Sequence, residues 1–302
     1  MLKWAFFLII AGAALWGTIG IFVQGLYDLG FTPIEVVAIR VVVALIVMTL
    51  IVLAKSPALF RVKPAHMPLF FGTGICSIVF FNWAYFTTIQ EINLSVAAVL
   101  LYTGPAFVTI LSRIFFKEWI TPQKIAALFV TLAGCTLVIG LFPLNADQLS
   151  FYGVLVGVGS GFGYALYSIF GKKASKSYSS LTITFYTFLF ASAALIPVIG
   201  IADISQRLAS LEGLLLALGL GTIPTVFAYL FYTAGLNHVE SSKASIAATV
   251  EPVVAAIIGV FVFHDQLTFW QGAGMICVLF AVFIIQQGRK VKKTRQPHAV
   301  NG

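Results

Sequence analysis

The sequence predicts an all-α integral membrane protein with ten transmembrane helices arranged as two inverted five-helix repeats. Three observations carry this reading. The 302 residues are 60% apolar and only 9% charged, against about 25% charged in an ordinary soluble domain. The apolar residues fall in ten runs of about 20, the length that crosses a hydrocarbon core as a helix. The basic residues fall almost wholly on one side of the resulting topology. So little charge would leave a soluble globule covered in apolar patches, and disorder needs low hydrophobicity. A membrane β-barrel would instead show alternating segments of about 10 residues.

The first span is Trp4–Val23, which follows Lys3. Its length past Ala11-Gly12-Ala13 favours a span over a cleaved leader. The second, Pro33–Leu53, contains Arg40. The third, Met67–Thr87, carries Asn82 and Tyr85; the fourth, Ser95–Phe115, carries a heptad-spaced stripe of Ser95, Tyr102 and Thr109. Thr121–Leu141 is the fifth. The sixth, Phe151–Phe170, combines Ser160, Tyr164 and Tyr167 on one face with a glycine run at 153, 157, 159, 161 and 163, read as helix packing. Leu181–Gly200 is the seventh. In the eighth, Glu212–Gly235, residues Thr222, Thr225, Tyr229, Tyr232 and Thr233 fall in an arc of about 100° on a continuous helix. The ninth, Ala244–Phe263, holds Ser245, Thr249 and Glu251, and the tenth is Phe269–Gln286. Pro105, Pro224 and Pro252 lie inside spans, where each removes a backbone hydrogen bond and predicts a kink.

Ten spans with a cytoplasmic start place sixteen of the eighteen Lys and Arg residues inside, Arg207 outside and Arg40 within a span. This expects a cytoplasmic-membrane protein with both termini in the cytoplasm, and it accounts for the net charge of +8 without a nucleic-acid partner. Cys76, Cys135 and Cys277 all lie in spans and suggest neither a disulfide nor a metal framework. No nucleotide-binding or hydrolase motif occurs and the four histidines lack ligand spacing, so no cofactor, metal or catalytic residue is assigned.

The two halves align at an offset of 147: Gly74 on Gly221, Tyr85 on Tyr232, Ser95 on Ser242, Pro105 on Pro252 and Glu118 on Asp265. An odd number of spans per half inverts the second against the first. Residues 1–146 form the first repeat, 147–289 the second, and 290–302 a basic tail. Inverted repeats mark alternating-access carriers, with the site between repeats near the midplane.

With Ala14-Leu15-Trp16-Gly17, Arg40, Tyr102-Thr103-Gly104-Pro105, Phe116-Lys117-Glu118, Glu251-Pro252 and His264-Asp265, the chain resembles the EamA-type family of the drug/metabolite transporter superfamily. Where the family usually has Gly-Glu, this chain has His264-Asp265. The resemblance implies ten helices, cytoplasmic ends and transport of small metabolites, often amino acids or their relatives, commonly outward.

The polar stripes recur at symmetry-related places, as a cavity between repeats requires. Its candidate lining is Trp16, Asn82, Tyr85, Tyr102, Tyr167, Tyr229, Tyr232, Ser245 and Thr249. Each hydroxyl has a competing structural role, bonding its own helix or a neighbour. Glu251 shares a helix face with Ala244, Ala247, Ala248 and Ala255. It reads as a proton-coupling or amine-binding carboxylate, or as a structural one bonded to Arg40 or to backbone freed by Pro252. Arg40 reads as that ion-pair partner or as a binder of a substrate carboxylate. The expected partners are a small-molecule substrate, the bilayer, and a coupling proton or counter-substrate. An intramembrane enzyme acting on lipid-linked substrates and a passive channel are the rival readings.

Overall fold

The structure, a computed structural model, describes residues 2–140 and 150–287. Ten helices long and apolar enough to span a membrane are present: α1 Leu2–Asp28, α2 Pro33–Lys55, α3 Pro64–Glu91, α4 Leu94–Phe116, α5 Pro122–Ile139, α6 Phe151–Ala174, α7 Ser180–Val198, α8 Leu211–Leu236, α9 Ser241–Val262 and α10 Phe269–Gln287. There is no strand among the described residues. The boundary between repeats at 146/147, the last residue of the expected fifth span and the basic tail 290–302 lie outside them. The hydropathy reading fell short by three to five residues at five ends: α1 continues to Asp28, α3 runs from Pro64 to Glu91, α6 continues to Ala174 and α9 starts at Ser241. It also missed a short surface helix, Ile201–Leu208, whose polar face makes it invisible to a hydropathy scan.

Most spans begin where a side chain replaces the missing backbone acceptor. Thr32 forms a capping box with Glu35 at the start of α2, and Asn93, Thr121, Ser150, Ser179 and Ser210 cap α4 to α8 in the same way.

The helices pack in pairs related by the repeat. Gly12 of α1 lies against the backbone of Ala228 and Tyr232 in α8, while Gly163 of α6 lies against Phe81 in α3. Gly74 of α3 touches the α7 backbone at Thr187 and Ala191; its repeat mate Gly221 touches α2 at Val43 and Ala44. Gly17 of α1 sits on the carbonyl of Glu251 in α9, and Gly161 of α6 on the carbonyl of Leu100 in α4. Gly134 and Gly274 join α5 to α10 across the pseudo-twofold axis. At these crossings a Cβ would stand under 3 Å from the facing helix. Small residues let membrane helices approach this closely, which is the work done by most of the α6 glycine run; Gly159 alone of that run meets nothing closer than 3.7 Å.

Four spans are irregular at paired positions. A π-helical stretch occupies Gly72–Val79 in α3 and another Thr222–Phe227 in α8. Helix α4 breaks at Tyr102 and Thr103 before Gly104-Pro105; α9 tightens to a 3₁₀ turn over Ala248–Val250 before Glu251-Pro252. A proline cannot donate to the preceding turn and its ring displaces that turn's carbonyl, so both helices restart at the proline pair. Pro224 falls inside the α8 π stretch, where Thr225 returns its hydroxyl to the carbonyl of Leu220 at 2.7 Å.

Packing differs sharply between the two faces of the bundle. Call the face bearing Lys3, Lys55, Lys124, Lys172 and Lys243 the basic face. In α9, nine of the ten residues from Ser241 to Val250 are buried, but only Pro252, Val253 and Gly259 are buried beyond them. In α1 the buried residues end at Gly17, apart from Leu26. The basic half of α4, from Gly104, is more buried than its other half. Along α1, α4 and α9 the bundle is therefore packed more densely toward the basic face and splayed toward the opposite one; α2 runs the other way, its continuous buried stretch lying at Val36–Val41.

Candidate functional site

The breaks in α4 and α9 meet around one aromatic cluster. Gly17 lies against the Glu251 carbonyl, so Trp16 is delivered beside the α9 break. The Tyr164 ring lies on Gly104 at the α4 break. Trp16 then packs edge-on to Tyr229 at 5.1 Å and to Tyr164 at 6.5 Å, and tilts against Tyr232 at 5.1 Å. Tyr167 closes the ring cluster against Tyr229 at 4.9 Å, and Phe188 backs Tyr229 at 5.4 Å. These are the edge-to-face separations that aromatic quadrupoles favour. Two hydroxyls are tied off: Tyr232 to Ser168 at 2.6 Å and Tyr167 to Thr233 at 2.7 Å. The rings, with Ser77, Phe81 and Ser168, enclose a cavity of about 10 Å³, the size of about one water molecule.

Above this floor, toward the splayed face, Glu251, Tyr85, Tyr102 and Tyr164 keep part of their surface accessible despite their depth in the bundle. The phenols of Tyr85, Tyr102 and Tyr164 and the thiol of Cys135 all lie within electrostatic range of the Glu251 carboxylate. Tyr102 packs on Cys135 and Val253. Among the described residues, no hydrogen bond or ion pair reaches the Glu251 carboxylate.

Arg40 lies behind the cluster, 8% exposed. Its Nη2 donates to the Tyr229 hydroxyl at 3.5 Å, and the guanidinium carbon stands 5.9 Å from the Tyr229 ring centre. Its Nε has no partner. The expected Arg40–Glu251 ion pair is thus not made at contact distance, although the two groups remain within electrostatic range of one another.

Several sequence expectations need correction. Glu251 is not wholly enclosed on the small-residue face of α9: it keeps part of its surface accessible, in electrostatic range of Tyr85 and Tyr102. The 3₁₀ turn before it supplies the reason. Three residues at about 120° each rather than 100° rotate everything beyond them by about 60°. Ser245 and Thr249 do not line the open space: they are buried in the shut half and bond back to Ser242 and Ile246 of their own helix, at 3.0 and 2.6 Å. Asn82 is likewise spent on the carbonyl of Ile78 at 2.7 Å. Tyr85 is not a member of the Trp16 cluster; among the described residues its one ring–ring contact is with Phe86. Tyr164 bridges the cluster and the Glu251 space. Its place on the polar face of α6 marked it, but only the fold brings it to Gly104.

The model of the EamA-like transporter family matches residues 3–140 and again 151–286. A protein of Archaeoglobus fulgidus described as an uncharacterized transporter is 30% identical over 91% of this chain and 94% of its own. The Bacillus subtilis uncharacterized transporter YwfM is 27% identical over 97% of both. A protein of known crystal structure shares the fold at a TM-score of 0.74, with 16% identity, over 93% of this chain and 95% of that one.

Proposed function

The chain belongs to the EamA-like transporter family, and from that premise we propose that it is a secondary carrier that moves a small organic metabolite by alternating access. The supporting observation is the aromatic cluster of Trp16, Tyr167, Tyr229 and Tyr232 around a small cavity at the α4 and α9 breaks, with a partly accessible Glu251 beside it that makes no hydrogen bond or ion pair among the described residues. A membrane-depth charge without a partner is costly, about 2.5–3.5 kcal/mol on insertion scales, and a chain that retains one has a use for it. Aromatic walls take up the apolar part of a solute, and a few polar groups orient the rest. An amino acid or a derivative of similar size suits this mixture.

The basic face is cytoplasmic on the positive-inside rule, so both termini lie in the cytoplasm of a cell-membrane protein and the conformer faces outward. Export is the working direction, driven by a solute or proton gradient. A passive channel would not need one half of the bundle shut. Comparing metabolites in the medium of a deletion and an overexpressing strain tests the reading. A solute class should rise outside the overexpressor and fall outside the deletion; unchanged media would count against export.

A further inference from the structure

Helix α9, like α3, begins without a side-chain cap from its own flanking residue. Its Glu240 makes no side-chain cap. The cap comes from the other repeat instead. One Glu118 carboxylate oxygen accepts from the Ser241 amide at 2.7 Å, and the other accepts from the Ser242 amide at 3.2 Å and the Ser242 hydroxyl at 2.6 Å. Lys124, almost wholly buried, lies 3.7 Å from Glu118 and 3.0 Å from Glu240, and Lys243 lies 3.4 Å from Glu240. A cleft of about 460 Å³ enters from the basic face and ends at this cluster, lined by Phe116, Lys117, Glu118, Lys172, His238 and Glu240 among others. The cluster is the wall between that cleft and the buried half of α9.

The repeat supplies an internal control. The mates of Glu118, Lys124 and Ser242 on the opposite face are Asp265, Gln271 and Ser95. The two acidic loops have the same backbone: Lys117 and His264, one residue before each acid, are both left-handed, with φ of 55° and 59°. Yet the second clasp is not made. Asp265 lies against Gly259 of its own helix, Gln271 caps Thr268 and reaches Val138, and α4 is capped by its own Asn93. Another cross-repeat contact behaves differently and is made at both faces. Tyr186 donates to Phe60 and Thr182 to Leu59 at the basic face, and Arg207 donates to Gly30 and pairs with Glu35 at the other. Contacts present on both faces at once belong to the frame. A contact present on one face only is free to change with state; the Tyr178 bonds to Lys63 and His66 are also one-sided, but it is Glu118 that holds the start of α9.

We propose that Glu118 is the gate residue of the basic face: its carboxylate, clasped on the start of α9 and flanked by Lys124, holds that face shut, and the bundle opens there by releasing it. Release exposes Ser242, Ser245 and Thr249, the buried polar stripe of α9, to the cleft. The inference goes beyond the carrier reading, and its test needs no substrate, so it can fail while the cavity assignment stands.

The experiment uses full-length protein with Cys76, Cys135 and Cys277 changed to Ala, carrying either Ser245→Cys or Ser95→Cys, in vesicles exposed to a membrane-impermeant maleimide on one face at a time. A charge-assisted hydrogen bond present in one state only biases the equilibrium by about tenfold or more. With Glu118→Gln, labelling at 245 from the basic face should rise about tenfold while labelling at 95 from the opposite face falls. Ser242→Ala removes one of the three bonds, leaves the carboxylate in place, and should move both rates the same way by about threefold; it serves if Glu118→Gln does not fold. Label rates that stay fixed, or that rise together at both sites, in folded protein would overturn the gate assignment.

Discussion

Glu251→Gln separates a functional carboxylate from a structural one because the structure gives it no protein partner. If Glu251 were half of a buried ion pair, removing its charge would strand the partner and cost about 3–5 kcal/mol. For a chain of this size that lowers the melting temperature by roughly 10 °C. Here Arg40 is held by Tyr229, and Glu251 keeps part of its surface accessible and makes no ion pair among the described residues. Gln preserves its shape and its capacity to accept hydrogen bonds. The expected change in stability is therefore within about 1 kcal/mol. Transport driven by a pH gradient should be lost, while exchange of substrate for substrate survives, since exchange need not pass through the deprotonated empty carrier. The assay is a melting curve in detergent beside proteoliposome transport with and without a pH gradient. A fall of roughly 10 °C, recovered by adding Arg40→Gln, would refute the unpaired arrangement. Intact pH-driven transport in stable protein would remove Glu251 from the coupling step.

Gly12→Ala would place a Cβ 2.7 Å from the Ala228 carbonyl and should cost about 1–3 kcal/mol in a melting assay, whereas Gly20→Ala, with nothing within 4 Å, should change little. His264→Gly should raise stability by about 1 kcal/mol, because His264 holds a left-handed backbone that glycine adopts freely; a loss would mean that the imidazole makes a needed contact. Tyr229→Ala should weaken substrate affinity with folded protein retained, whereas Phe227→Ala, half-exposed on the opposite arc, should leave half-saturation unchanged. Burial alone would raise the Glu240 carboxyl, but Lys124, and then Lys243, hold it below its ordinary value of 4.5. A lowered folded value means that the stabilisation is present above 4.5 and is lost as pH falls through the folded value, so a melting curve should show this contribution flat above pH 4.5 and falling only at lower pH, a dependence that Glu240→Gln removes.

The spans, their number and the inverted repeat were legible because apolar length and basic asymmetry survive without tertiary contacts. The proline breaks were legible for a local reason, the missing donor at Pro105 and Pro252. The π stretch of α3 was not: Gly72–Val79 contains no proline to mark it, and Gly74 and Gly72 there pack closely against α7 and α6. Continuous helical wheels misplaced Glu251, because the Ala248–Val250 turn rotates all that follows. Ser245 and Thr249 are buried in this conformer for a different reason. Two symmetric halves give symmetric polar stripes, but one conformer exposes only one side of the cavity. Glu118 was noticed as the mate of Asp265, yet its grip on α9 joins residues 123 and 124 positions apart, which no local pattern encodes.

The most direct test of the carrier account is exchange in proteoliposomes loaded with an isotopically labelled small-metabolite extract, with the unlabelled extract outside. A carrier should release at least one labelled metabolite in one-for-one exchange with its unlabelled form, at a rate that saturates with outside concentration and falls in Tyr229→Ala. Release that is linear in concentration and indifferent to the outside solute would contradict alternating access.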